Sequence, residues 1–171
     1  ISRVAESDGK IVGAIFYSKA WIDDGKRKHE IVTFGPLAID PMYQNQGIGK
    51  LLIKETIKLV KKAKYPGICI FGEPDYYPLL GFKTADHFKI TDIEGNNYDA
   101  LMALETEKGS LSNIHGKFIE SKVFENIDEN KVALFNKNFP NYPMHKVNAQ
   151  WLHKEKLGKV VKILVVRYGV A

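Results

Sequence analysis

The sequence predicts an α/β fold on a mixed central β-sheet that is splayed near its middle and flanked by helices. Three stretches predict it. Thr33 to Ile39 reads as a strand, the turn residues Asp40-Pro41 follow, and Gln44-Asn45-Gln46-Gly47-Ile48-Gly49-Lys50 leads into a helical pattern from Leu51 to Ala63. Ile68-Cys69-Ile70-Phe71 is short and wholly apolar, as a buried parallel strand would be. Within His29 to Ile39, Gly35-Pro36 interrupts the strand. Proline cannot donate to a ladder, so a bulge or a splay is expected there.

The remaining elements follow in chain order. Arg3 to Glu6 and Lys10 to Tyr17 are strand-like and joined by the turn Ser7-Asp8-Gly9. Val12, Ala14 and Phe16 alternate with Ile11, Gly13, Ile15 and Tyr17, so both faces are apolar and cover on both sides is expected. Trp21 to Lys28, with Asp23-Asp24-Gly25, reads as a loop or hairpin end. In the helix, Ile48, Leu51, Leu52, Leu59 and Ala63 fall on one arc, extended by Val60 and Ile53, opposite a ridge of Lys50, Lys54, Lys58 and Lys61. Tyr65-Pro66-Gly67 stops it. A short helix is expected to begin near Asp75, with Pro78 shortening it. Phe82 to Asp92 and Tyr98 to Glu105 read as an antiparallel hairpin around Glu94-Gly95-Asn96-Asn97. Further on, Asp128 is placed to cap a helix carrying Val132, Leu134, Phe135 and Phe139, ended by Pro140. Val160 to Val166, in the basic tail from Trp151, reads as a β-branched strand.

Composition narrows the class. A chain of 171 residues, 44% hydrophobic and 26% charged, fits one globular domain with an appendage. Cys69 is the only cysteine, so an intrachain disulfide is excluded and a reducing, cytoplasmic setting is expected. No apolar run reaches the roughly 18 residues of a membrane span. The net charge of +5 is carried by scattered lysines without aromatic interleaving, which fits a polyanionic cofactor better than nucleic acid. No metal-ligand cluster is visible, and a homodimer is open.

The chemistry begins at the glycine-bearing loop. A strand, such a loop and a helix N-terminus together make an anion site, because the first amides of a helix lack internal partners and carry the positive end of its dipole. Without a Cβ, Gly47 and Gly49 let the backbone approach a phosphate. The loop is not a Walker motif: Gln44 stands where the first glycine belongs, and Leu51 follows Gly49-Lys50. Nor is it a dinucleotide fingerprint, because the third glycine would be position 52, which is Leu52. What remains is Q-x-x-G-x-G opening a helix. It resembles the pyrophosphate-binding signature of the GCN5-related N-acetyltransferase (GNAT) superfamily, whose members bind acetyl-CoA. Tyr77-Pro78-Leu79-Leu80-Gly81-Phe82 resembles that family's second signature, Tyr-x-x-x-Gly-Phe, and stands in the right order about 30 residues on.

The resemblance covers residues 1–106, read as the acetyltransferase core, with 107–171 as a C-terminal extension similar to that of some bacterial members. It implies that backbone groups of Leu37, Ala38 and Ile39 pair with the pantetheine arm. It also implies that Gln44, Asn45, Gln46, Gly47, Ile48, Gly49 and Lys50 hold the pyrophosphate, and that Tyr77 lies near the CoA sulfur as the general acid. Glu73 and Glu30 are candidates for the base. The family's first strand and two helices, which help wall the acceptor site, are missing before Arg3. The function implied is direct acetyl transfer from acetyl-CoA to an amine acceptor; the alternative is a non-catalytic acyl-CoA-sensing domain.

Overall fold

The computed structural model describes residues 1–124 and 128–138. Strands β1 (Ser2–Ser7) and β2 (Lys10–Asp23) form a hairpin, closed by Asp8 at φ 51° and Gly9 at φ 75°. Two left-handed residues in a two-residue loop match the right-handed twist of the strands they join. β2 then pairs antiparallel with β3 (Lys28–Ile39) from Gly13↔Ile39 down to Asp23↔Lys28. Trp21 to Asp23 are therefore strand, and the turn predicted over Trp21 to Lys28 is confined to the residues between. It is closed by carboxylates: Asp23 accepts from the Gly25 amide at 2.9 Å, and Asp24 from those of Lys26 and Arg27, each at 2.8 Å.

Helix α1 (Ile48–Lys62) follows β3 and packs on one face of the sheet. Its buried residues are Leu52, Ile53, Thr56 and Val60, whereas Leu51 is 58% exposed. The predicted arc is thus displaced, and the reason is Thr56. A threonine reads as polar, yet its hydroxyl donates back to the Leu52 carbonyl at 2.7 Å and accepts from the Tyr17 hydroxyl at 3.0 Å. With its hydroxyl satisfied, Thr56 completes the 52-56-60 spacing of a buried face.

Strand β4 (Gly67–Phe71) lies beside β3, and β5 (Lys83–Thr84), β6 (Ile90–Thr91), β7 (Leu101–Glu105) and β8 (Gly116–Ile119) complete the sheet. The order is β5-β7-β4-β3-β2-β8-β6, with β1 also on β2. Among the described residues, only β3·β4 and β6·β8 are parallel. The hairpin predicted from Phe82 to Glu105 does not form. Ala85–Phe88 is a 3₁₀ turn ended by Lys89 at φ 57°, so the first predicted strand breaks into β5, which pairs with β7, and β6, which pairs with β8. Past β6, Asp92 accepts from the amides of Glu94 and Asn96, at 2.9 and 2.7 Å, and turns the chain locally. β8 pairs with β2 and places Phe118 in the core, so the sheet continues past residue 106.

Strand alternation makes two cores. One, on the α1 face, joins Ile15, Val32, Phe34, Ile53, Ile68 and Ile70. The other joins Ala20, Ile22, Ile31, Cys69, Leu101 and Phe118. Cys69 is fully buried there, and burial pushes its thiol up, so it is a core residue and no nucleophile. Cover of the β1–β2 hairpin is one-sided at its open half: Ile15 is buried, but Val4, Ile11 and Phe16 are 51%, 66% and 43% exposed. No described element packs over them, unlike the two-sided cover expected for β2. Helix α2 (Glu129–Asn136) is capped as predicted by Asp128, which accepts from the amides of Asn130 and Lys131; Leu134 and Phe135 are exposed on it. Phe139, Pro140 and the predicted strand Val160 to Val166 lie outside the described residues.

Ile53, wholly buried between α1 and the sheet, tests the first core. Ile53→Ala should cost about 2–5 kcal/mol, the usual range for an isoleucine truncated in a core. Urea denaturation with an unchanged midpoint would show that α1 does not carry this packing.

Candidate active site

β3 and β4 touch in one register pair only, Val32↔Ile68. Beyond it the strands part, as the sequence predicts, and the device that parts them is visible. On β2, Ile15 faces Leu37 and Tyr17 faces Phe34, so Phe16 alone stands opposite Gly35 and Pro36. Two residues against one is a bulge, which bends β3 away from β4. Leu37, Ala38 and Ile39 stay paired with β2 through Ile15, Ala14 and Gly13. Among the described residues no strand lies on their other edge, so backbone N–H and C=O groups point into the gap.

The glycine loop closes one end of this gap. Asp40 caps a 3₁₀ turn at Pro41–Tyr43 by accepting from the Met42 amide at 2.8 Å. Asn45 at φ 60° and Gly47 at φ 83° then take left-handed conformations on either side of Gln46. Gly47 is the N-cap of α1, and no side chain caps the helix there. The first-turn amides of Ile48, Gly49 and Lys50 are consequently without intrahelical acceptors and open to an anion. The two glutamines hold the loop in place: Gln44 Nε2 donates to the Ile39 carbonyl at 3.0 Å, and Gln46 Nε2 to the Met42 carbonyl at 3.2 Å. Of the helix lysines, Lys58 is paired with Glu55 at 2.6 Å and Lys61 with Glu107 at 3.5 Å. Lys50, in the first turn, is exposed and has no ion-pair partner among the described residues.

Tyr77 follows β4 on the other side of the gap. It opens a 3₁₀ turn, Tyr77–Leu80, with Pro78 second and Gly81 as the left-handed C-cap, so the predicted short helix is a single tight turn. The ring packs against Phe34, Tyr76 and Phe82 at centroid distances of 5.8, 5.2 and 5.6 Å. Burial pushes its hydroxyl well above the usual tyrosine value, and the neighbouring Tyr76, Tyr17 and Glu73 add to this. No hydrogen bond to that hydroxyl is made among the described residues.

Tyr76 is a residue the sequence reasoning passed over. A Cβ on Gly49 would stand 3.5 Å from the Tyr76 hydroxyl, 3.7 Å from Ile39 Cγ1 and 4.0 Å from Leu37 Cδ2. Tyr76 therefore spans the gap from the β4 side to the first turn of α1. Its only signal in the sequence is its place beside Tyr77. The two base candidates part company. Glu30 sits toward the hairpin turn, opposite Trp21, in an exposed ion pair with Lys19 at 3.0 Å. Glu73 lies at the end of β4, and its carbonyl accepts from the amides of Tyr76 and Tyr77 at 3.1 and 3.2 Å. Among the described residues, no group of three or more acidic, histidine or cysteine residues is placed to hold a metal.

A mixed sheet parted between two parallel strands, with an uncapped glycine helix start at the opening, defines a class of fold. Residues 2–84 match the acetyltransferase (GNAT) domain family. An uncharacterised N-acetyltransferase of Escherichia coli strain K12, YhbS, is 27% identical over 82 residues, 48% of this chain and 48% of its own. YjhQ of the same strain, also an uncharacterised N-acetyltransferase, is 30% identical over 83 residues, 48% of this chain and 46% of its own. The chain thus spans about half the length of the curated relatives it matches. Among solved structures, E. coli YhbS in complex with CoA superposes with a TM-score of 0.67 at 22% identity, covering 74% of this chain and 70% of that one. A GNAT acetyltransferase of Brucella melitensis in complex with acetyl-CoA gives a TM-score of 0.56 at 27% identity, covering 72% and 67%.

Proposed function

We propose that the protein transfers an acetyl group from acetyl-CoA to an amine by direct attack. The observation that carries the reading is the parted β3–β4 pair, with the uncapped start of α1 at one side and the Tyr77 hydroxyl at the other. A pyrophosphate on the amides of Gln46 to Lys50 would let a pantetheine arm run along Leu37 to Ile39, adding a short strand to the open edge of β3. The thioester would then reach Tyr77. Gln44 and Asn45 act from the loop backbone and by holding its shape. Both solved relatives named above carry CoA or acetyl-CoA, which supports the choice of cofactor.

The chemistry asks for three things: a neutral acceptor amine, a polarised thioester carbonyl and a proton for the departing thiolate. Amides on the open edge of Leu37 to Ile39 supply the second, and Tyr77 the third. Thiol release from acetyl-CoA with a panel of primary amines tests the assignment; binding of acetyl-CoA with no release for any amine would mark an acyl-CoA-sensing module instead. No helix among the described residues is long and apolar enough to cross a membrane, and the free, buried Cys69 fits the proposed cytoplasmic setting.

The lysines separate a specific phosphate contact from a diffuse basic field. Lys50→Ala should weaken CoA binding by about two- to fivefold, the equivalent of ~0.3–1 kcal/mol for a charge at a helix N-terminus, and flatten its salt dependence. Lys58→Ala, which removes a residue already paired with Glu55, should do neither. Equal losses from the two in calorimetric titration would overturn a localised pyrophosphate site and favour nucleic acid as the polyanion.

A further inference from the structure

The Tyr77 ring stands where the side chain of another residue would be. Gly72 directly follows β4 and is buried. Its amide donates to the Ala100 carbonyl at 2.8 Å, one step beyond the Phe71↔Leu101 pair of β4 and β7. A Cβ built on Gly72 would fall well inside contact distance of Tyr77 Cδ2 and Cε2, and 3.0 Å from Ile70 Cδ1. Non-bonded carbons pack at about 3.5–4.0 Å, so not even a methyl at 72 coexists with the ring as it stands. Conformation is not the reason for this glycine, because Gly72 is not among the residues with positive φ. The other glycines of the site differ. Gly47 has a left-handed φ and open space around it, and a Cβ on Gly49 would meet its nearest neighbour at an ordinary 3.5 Å.

Neither side of this contact is free to give way. The backbone at 72 is tied to Ala100, itself buried. The Tyr77 amide donates to the Glu73 carbonyl at 3.2 Å and its carbonyl accepts from the Phe82 amide at 3.3 Å, so its main chain is held on both sides. Phe34, Tyr76 and Phe82 bound the ring, and Phe34 and Phe82 are buried. Gly72 is the remaining wall. Cε2 is bonded to the ring carbon that carries the hydroxyl, so a push there moves the oxygen almost as far as it moves the ring.

We propose that Gly72 is a positioning residue for the general acid: the side chain it lacks is the space that sets where the Tyr77 hydroxyl stands. This rests on the acetyltransferase reading above. A methyl at 72 must move the ring by about 1 Å to regain an ordinary separation. Misplacing a reacting group by that much costs up to about 10²-fold in rate. The glycine loop and the open edge of β3 are not touched, so cofactor binding and turnover part company at this residue.

The test uses the full chain, acetyl-CoA, and whichever of spermidine, tyramine or a lysine-containing peptide releases most thiol with the unaltered protein. Gly72→Ala should lower kcat by about 10- to 100-fold, no further than Tyr77→Phe does, with the CoA dissociation constant by calorimetry within about twofold. Placed on Tyr77→Phe, the same change should lower kcat by less than about twofold, because the hydroxyl whose place it upsets is gone. Equal losses with and without the hydroxyl, or a Gly72→Ala protein with unchanged kcat, would overturn the positioning role and leave the acetyltransferase reading standing. Urea denaturation gives a readout that needs no activity. Gly72→Ala should lower the midpoint when Tyr77 is present and not when Tyr77→Ala has removed the ring. A midpoint lowered equally in both would overturn the steric contact. If Gly72→Ala alone does not fold, recovery of folding on Tyr77→Ala supports the contact and no recovery overturns it. Acetyl-CoA bound but never cleaved with any of the three amines would overturn the acetyltransferase reading and the general acid with it, whatever the urea comparison shows of the ring.

Discussion

Tyr77→Phe should leave CoA affinity where it is and lower kcat by about 10²-fold or more, within the 10²–10⁴ range of a general acid. The geometry makes this substitution unusually clean. The ring is held by Phe34, Tyr76 and Phe82 through contacts a phenylalanine keeps. The hydroxyl makes no hydrogen bond among the described residues, so its removal orphans no partner and the folded state should be equally stable. Burial sets the size of the effect. It raises the hydroxyl pKa above the ordinary 10.0, so the proton is in place across the neutral range and Tyr77 adds no limb to the pH–rate profile there. The same shift opposes complete transfer to a thiolate, whose own conjugate acid lies near 8.5. In the proposed mechanism the hydroxyl would therefore first hydrogen-bond the charge gathering on sulfur, with its proton following late, which places the expected loss toward the lower end of the range. A folded Tyr77→Phe protein with unchanged kcat, measured where single-turnover kinetics show chemistry to be limiting, would remove Tyr77 from the mechanism.

Why Tyr77 and the loop were legible in the sequence, and other parts were not, follows from the range of the interactions involved. Gly47 and Gly81 are local signals: a left-handed residue at a helix start or end is written in the residue itself. Gly35-Pro36 is local in the same sense, and the bulge opposite Phe16 is where those two residues place it. β4 is legible because a strand buried on both faces has nowhere to put a polar residue. The misses all involve distant partners. Thr56 reads as polar until Tyr17, 39 residues earlier, supplies its hydrogen bond. β6 and β8 are two and four residues long, too short to show a period; they pair with each other, and β8 pairs with β2 across the chain. Tyr76 differs from Tyr77 in no local feature; the strand-to-turn path after β4 sends one toward Gly49 and the other against Phe34. Glu73 was visible as a carboxylate, but only the fold gives it a buried oxygen with nothing to bind.

Gly47→Val should weaken CoA binding by at least about tenfold, the equivalent of ~1.4 kcal/mol. Gly47 stands at φ 83°, where a β-branched residue is strained, and it is the N-cap from whose carbonyl the helix begins, accepting from the Leu51 amide at 2.9 Å. A Cβ there would meet nothing within 4 Å, so the cost is conformational and not steric. The valine would relax by turning the peptide planes on either side of it, and those planes carry the amides proposed to face the pyrophosphate. Each charge-assisted hydrogen bond is worth roughly 1.5–3 kcal/mol, so misdirecting even one accounts for the tenfold loss. Gly49 provides the contrast. Its backbone is helical, and an added Cβ would find ordinary contact distances to Tyr76, Ile39 and Leu37. A β-branched side chain at 49 should therefore weaken CoA by filling the gap below Tyr76 rather than by strain, while alanine should be tolerated. Calorimetric titration in which a folded Gly47→Val binds CoA as tightly as the unaltered protein would take the loop out of the cofactor site, whatever Tyr77 proves to do.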